Sequence, residues 1–261
     1  MTTTGPDDPW SAVADDWGRY WGTFARPAWE PLLRTARVGQ GARVLDVGCG
    51  TGELLEHLQE LGAVPSGVDP ARRMAELARA RAVGADVRPG DFERLPFDDG
   101  VFDALLAVNA LQFAEDQEHA LAEAARVLVP GGVVGLAGWA ERARNDLDAI
   151  NAALAEADDE DPPEDGPLRV EGGLAAVLRG AGWAVLDDGV VPVPWIARNN
   201  TDLVRGILFG EEPSTIADLA PVVLEAAAPY RTPDGGYRLV NAFRWAVALV
   251  PDTERTAAVL G

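Results

Sequence analysis

The run Arg43-Val44-Leu45-Asp46-Val47 leads directly into Gly48-Cys49-Gly50-Thr51-Gly52. The first piece is apolar and partly β-branched, which reads as a buried strand. Glycine at every second position of the second piece lets the backbone turn sharply and lets a ligand lie against the main chain. Gly52 to Leu61 then reads as a helix, stopped by Gly62. Strand, glycine loop and helix in that order point to an α/β sheet with its ligand at the carboxyl ends of the strands. The dinucleotide pattern G-x-G-x-x-G fails here, because Glu53 stands where the last glycine belongs. The loop also offers no basic residue to a pyrophosphate. Asp46 instead puts a carboxylate at the mouth of the strand, which suits a ligand carrying an ammonium group.

The alternation continues along the chain. Pro65 to Asp69 predicts a short strand, Ala71 to Ala82 a helix of strong formers, Asp86 to Arg88 a short strand and Phe102 to Val108 a longer one. Asp116 to Val129 predicts a helix closed by Pro130-Gly131-Gly132, and Val133 to Trp139 another strand. Strands that alternate with helices imply a doubly wound, mostly parallel sheet. Beyond Trp139 the rhythm changes. Helices are expected over Arg144 to Ala157, Glu171 to Gly180, Thr201 to Phe209 and Thr215 to Ala228, with strands over Trp183 to Val191 and Phe243 to Val250. Asp158 to Pro167 reads as an acidic, proline-rich loop. Ahead of the glycine loop, residues 1–9 read as disordered, and Trp10 to Arg37 as helical with an aromatic face.

Composition narrows the chemistry. The chain has 261 residues with 42 acidic against 22 basic, a formal net charge of −20. Such a charge excludes nucleic acid as the expected partner, since phosphate contacts need a positive surface. One cysteine, Cys49, rules out an internal disulfide and a multi-cysteine zinc site, and no metal site is expected. All the basic residues are Arg, which excludes a Schiff-base lysine. Without a secretory leader or a long apolar run, the expectation is a cytoplasmic protein that does not enter a membrane. The sequence leaves the oligomeric state open.

The segment Val44 to Gly52 resembles the signature of class I S-adenosylmethionine-dependent methyltransferases of the small-molecule type, a group similar to the ubiquinone and menaquinone biosynthesis methyltransferases. The likeness extends over residues 42–139. Gly67-Val68-Asp69-Pro70, Gly90-Asp91-Phe92-Glu93, Phe102 to Phe113 and Arg126 to Gly132 follow in order. It implies a seven-stranded Rossmann-like sheet with N-terminal helices and an inserted helical cap. The expected organisation is a lid over 1–40, a cofactor-binding core over 41–140, a cap interleaved with a sheet strand over 141–240, and a last strand and tail over 241–261. S-adenosylmethionine is the implied cofactor, and S-adenosylhomocysteine the product. Asp69 would accept both ribose hydroxyls, as a carboxylate can, with Pro70 beside it. Met74 would pack on the adenine and Asp91 would take its amino group. Phe92 would offer it a backbone N–H. Asp46, Gly48, Cys49, Gly50, Asn109 and Leu111 would surround the methionine part, and Tyr20 would reach over from the lid.

Methyl transfer is an in-line displacement with a neutral leaving group, so alignment and exclusion of water do most of the work. The resemblance implies a small, hydrophobic or aromatic acceptor methylated on O, N or C, with Trp21, Gln112 and Trp139 as expected contacts. Many relatives carry a histidine near Gln112, and this chain does not. The candidate bases Glu115, Asp116, His119, Glu141 and Asp146 carry no distinguishing pattern, and the catalytic residue stays unassigned. That leaves an amine, a pre-ionised acceptor, or a base from the cap. It also leaves an alternative in which the cofactor is kept but the reaction is not a methylation, for example a cyclisation.

Overall fold

A computed structural model describes residues 8–162 and 164–251. Seven strands form one sheet in the order β3-β2-β1-β4-β5-β7-β6. They are β1 (Arg43–Val47), β2 (Val64–Asp69), β3 (Asp86–Pro89), β4 (Phe102–Val108), β5 (Leu128–Trp139), β6 (Ala184–Ala197) and β7 (Tyr237–Leu249). The first five run parallel, and β7 enters antiparallel between β5 and β6. The expected doubly wound, mostly parallel seven-stranded sheet is therefore present. Helices α1 (Pro9–Tyr20), α2 (Arg26–Thr35), α3 (Glu53–Glu60), α4 (Arg72–Arg81) and α5 (Gln117–Val127) accompany the first half. Helices α6 (Asp146–Ala157), α7 (Gly173–Gly180), α8 (Asn200–Ile207) and α9 (Pro213–Ala226) accompany the second. No described helix is long and apolar enough to cross a membrane.

Both faces of the sheet are covered, which is why its strands are apolar at successive positions. Val44 and Leu106 point into one core with Leu32 of α2 and Phe243 of β7. Their neighbours Leu45 and Leu105 point into the other, with Leu121 of α5 and Leu178 of α7. Parallel pairing keeps the carboxyl ends level: Asp46 lies opposite Gly67 on one side and Leu106 on the other. The loops after β1, β2, β3 and β4 thus gather along one edge.

Four expectations are corrected. Trp10 to Arg37 is two helices, because the chain turns at Trp21 to Ala25 and buries Trp21 and Phe24 in the corner. The disordered reading of 1–9 fails at its end: the Asp8 carboxylate accepts from Trp10 N–H and caps α1, with Pro9 in the first turn. Residues 1–7 lie outside the described residues. Pro130-Gly131-Gly132 is not a turn ahead of β5 but a bulge inside it, where the register to β4 shifts between Phe102 and Ala104. Finally, the two last strands are longer than expected: β6 runs past Val191 to Ala197 and β7 begins at Tyr237 rather than Phe243, and the two pair along the edge of the same sheet.

Candidate functional site

The glycine loop is tied to β2 by its own backbone, as Gly48 and Cys49 N–H both donate to the Val68 carbonyl. Gly48 has φ +72°, and a Cβ there would sit 2.7 Å from the Cβ of Ala110. Gly50 has φ +52°, and the nearest atom to its missing Cβ is Nε1 of Trp17 at 3.7 Å. Glycine in the loop therefore leaves a gap between the main chain and α1. The Asp69 carboxylate closes the turn from the far side, accepting from Gly50 N–H at 2.8 Å and Ala71 N–H at 2.9 Å.

Between these parts lies a cleft of about 570 Å³. Gly48, Gly50, Asp69, Pro70, Met74, Asp91, Phe92 and Asn109 all line it, so eight of the residues singled out from sequence come together. Trp10 and Trp17 of α1 cover one side, and Trp10 meets Phe113 edge-on at 5.8 Å. α1 is held in place by Arg73, which pairs with Asp15 at 2.9 Å and donates its backbone N–H to Ser11. A second, smaller chamber of about 80 Å³ adjoins the cleft and shares Trp17, Gly48, Gly50, Val108 and Asn109 with it. Asp46, Cys49, Trp21 and Trp139 line this chamber, with Phe24, Trp29 and Phe243. Phe24, Trp139 and Phe243 touch one another, with ring centres 5.0 to 5.5 Å apart.

Charge in the site is one-sided. Burial, with help from Asp69 and Glu53, pushes the Asp46 carboxyl up to about 8. Burial also raises Asp69 to about 6, outweighing the two N–H groups that favour its charged form. Both acids thus ionise at higher pH than a free carboxylate, Asp46 more so than Asp69. Glu53 is different: Arg81 reaches it at 2.8 Å and the Thr51 hydroxyl donates to it. Burial first, and the neighbouring Asp46 and Asp69, push the Cys49 thiol well up, which disfavours its thiolate. Asn109 sits at φ +57°, a left-handed conformation uncommon outside glycine, where β4 ends between the two cavities.

Three expected contacts line neither cavity. Leu111 is buried in the core on the other face of the sheet. Gln112 is exposed, and its amide donates to Oδ1 of Asn109 at 2.7 Å, so it touches the site through that residue. The Tyr20 hydroxyl is buried without a hydrogen-bond partner among the described residues, and Trp17, one helical turn earlier, takes the place expected for Tyr20. Among the candidate bases, Glu115 lines the cleft. Asp116 caps α5, Glu141 pairs with Arg244, Asp146 accepts from Val240 N–H, and His119 is exposed. Sequence reading missed Asp8, Trp17, Glu93 and Phe113. Asp8-Pro9, a capping residue followed by a first-turn proline, was the available signal for where α1 begins.

Residues 45–136 match the family described as a methyltransferase domain. The malonyl-[acyl-carrier protein] O-methyltransferase of Erwinia pyrifoliae is 38% identical over 109 residues, 42% of this chain and 42% of that protein. The chain thus spans less than half the length of that relative. A methyltransferase candidate from Bacillus halodurans superposes with a TM-score of 0.59 at 18% identity, covering 85% of this chain and 98% of that one. The [4+2]-cyclase SpnF does so with a TM-score of 0.54 at 21% identity, covering 85% and 79%.

Proposed function

We propose that this chain, whose residues 45–136 carry a methyltransferase domain, binds S-adenosylmethionine in the larger cleft and directs its methyl group onto O, N or C of a small acceptor in the aromatic chamber. One observation carries the reading: two buried acids, Asp46 and Asp69, bracket a glycine loop from two adjoining cavities, Asp69 in the cleft and Asp46 in the chamber, and burial raises both above the ordinary carboxylate range. A ligand with an ammonium group and a pair of hydroxyls supplies what they lack.

The donor set fits that cofactor. Asp69 would accept the two ribose hydroxyls, and Asp46 would face the ammonium group. Asp91, whose carboxylate accepts from Glu93 N–H at 3.0 Å, keeps lone pairs for the adenine amino group. Met74 and Phe92 would pack the base, with Pro70 at its edge. Asn109, held by Gln112, stands where cleft and chamber meet. When bound, the cofactor supplies a methyl group on sulfonium, an activated electrophile with a neutral leaving group. The chain's task is then alignment and exclusion of water. The rings of Trp17, Trp21 and Trp139 exclude solvent from the junction, and proximity alone supplies about 7–11 kcal/mol.

Calorimetric titration with S-adenosylmethionine and S-adenosylhomocysteine tests the cleft. Binding of both in the micromolar range is expected, and absence of binding contradicts the reading. A second reading, a non-methylating reaction such as a cyclisation, is favoured by the lack of a histidine among the described residues that line the chamber. Product mass separates the two: an added methyl unit excludes the second, and an isomer of the substrate excludes the first.

A further inference from the structure

The chamber beside the cleft has walls of one chemical kind. Trp21, Phe24, Trp139 and Phe243 present rings, and Trp21 is fixed by stacking on Trp195 at 4.7 Å and by donating its indole N–H to the Gly206 carbonyl. The rings are therefore pre-positioned, and they need no rearrangement to receive a ligand. The titratable side chains lining the chamber, apart from the Cys49 thiol, are Asp46 and Glu53. Taken with the larger cleft, the lining includes seven carboxylates, the others being those of Asp8, Asp69, Asp91, Glu93 and Glu115, and among the described residues no Arg or His. A net charge of −20 adds a long-range field of the same sign.

We propose that the acceptor is a small aliphatic amine, bound in the aromatic chamber by ring faces that favour positive charge, and that carboxylate acceptors are rejected there. This rests on the donor reading above. Ring faces carry negative electrostatic potential and attract alkylammonium groups, most strongly when desolvated. An anion entering the chamber finds no Arg or His among the described lining residues and sits beside carboxylates, which is costly in a dry site. The malonyl acceptor named for the Erwinia pyrifoliae relative bears a carboxyl group, and that likeness covers only 42% of this chain. Reaction chemistry points the same way. The amine nitrogen forms a bond to the methyl carbon with its own lone pair while the carbon–sulfur bond breaks. Positive charge passes from sulfur to nitrogen, and sulfur departs as a neutral thioether. An amine that enters as its ammonium ion first releases one proton to water, which frees the lone pair; a tertiary amine then needs no further base, and a primary or secondary one loses a second proton to water after transfer. Among the chamber's carboxylates, Glu53 is already matched by Arg81 and Asp46 is assigned to the cofactor's ammonium group.

The test uses three probes of one shape: choline, its neutral isostere 3,3-dimethylbutanol, and the anion 3,3-dimethylbutyrate. Each is titrated calorimetrically into the full chain with and without saturating S-adenosylhomocysteine. Choline is expected to bind at least tenfold more tightly than the alcohol, with the anion weakest, and Trp139→Leu is expected to reduce the cation preference severalfold. Should the half-buried Trp139 prove necessary for folding, the wild-type series decides alone. S-adenosylhomocysteine binding with no preference for choline overturns the amine assignment and leaves the donor reading intact. Failure of S-adenosylhomocysteine to bind overturns the donor reading and the assignment together.

Discussion

The cleft edge of the sheet and the β6–β7 edge are built on opposite principles. At the cleft, Asp46 and Asp69 are buried and raised above the ordinary carboxylate range, Asn109 and Gly48 hold left-handed backbone, and glycines leave space that side chains would fill. Along β6 and β7, Trp195, Tyr237 and Leu239 are almost wholly buried, and the Trp195 indole N–H finds the Tyr20 carbonyl at 2.7 Å. One edge keeps unfavourable ionisation in the free protein, to be relieved on binding. The other contributes packing that the ligand never touches. Stability and affinity should therefore respond to different residues.

Leu239→Ala carries the largest expected effect. Leu239 is fully buried, so truncation should cost about 2–5 kcal/mol of folding free energy. Affinity for S-adenosylhomocysteine should stay within about twofold, which chemical denaturation and calorimetry on the same sample will check. A comparable loss of affinity would erase the contrast between the two edges. Asp69→Ala should behave inversely: binding weakens by about 1.5–3 kcal/mol, as for lost hydrogen bonds to a charged group. Stability should change less than in Leu239→Ala. An unchanged dissociation constant would move the sugar elsewhere.

Acidity sharpens the same comparison. Asp46 near 8 and Asp69 near 6 hold protons that the unfolded chain releases close to pH 4. Between those limits the native state binds more protons, so the stability of the free protein should fall as pH rises, by up to about 1.4 kcal/mol per pH unit for each titrating group. Affinity for S-adenosylmethionine should rise over the same interval, because its ammonium group favours the ionised carboxylate. Asp46→Asn should flatten both trends, and melting curves with titrations from pH 5.5 to 8.5 will show it. The smallest effect is expected for Tyr20→Phe. Removing a buried hydroxyl that lacks a partner among the described residues should stabilise the fold by about 1 kcal/mol and leave affinity untouched.

Legibility followed locality. Asp46, Asp69, Asp91 and Asn109 each stand where a strand gives way to its loop, so a short stretch of sequence places them. Trp17 was not separable from Tyr20 because both lie on the aromatic side of α1. What decides between them is the Asp8 cap and the grip of Arg73 on Asp15 and Ser11, contacts made across the fold. The expected strand over Trp183 to Val191 ends too early because Pro192 and Pro194 look like stops. β6 pairs on one side only, and an edge strand tolerates proline. The start of β7 is hidden by Arg238 and Asn241, although Tyr237 and Leu239 inward with Arg238 and Val240 outward is plain two-residue alternation. Pairing so distant in sequence leaves little local trace.

The central claim concerns what fills the cleft, and a crystal structure grown with S-adenosylhomocysteine tests it most directly. The account predicts density along the glycine loop, with the ribose hydroxyls within hydrogen-bond distance of Asp69 and the amino group toward Asp46. An empty cleft, or one that accepts a nicotinamide nucleotide instead, would contradict it.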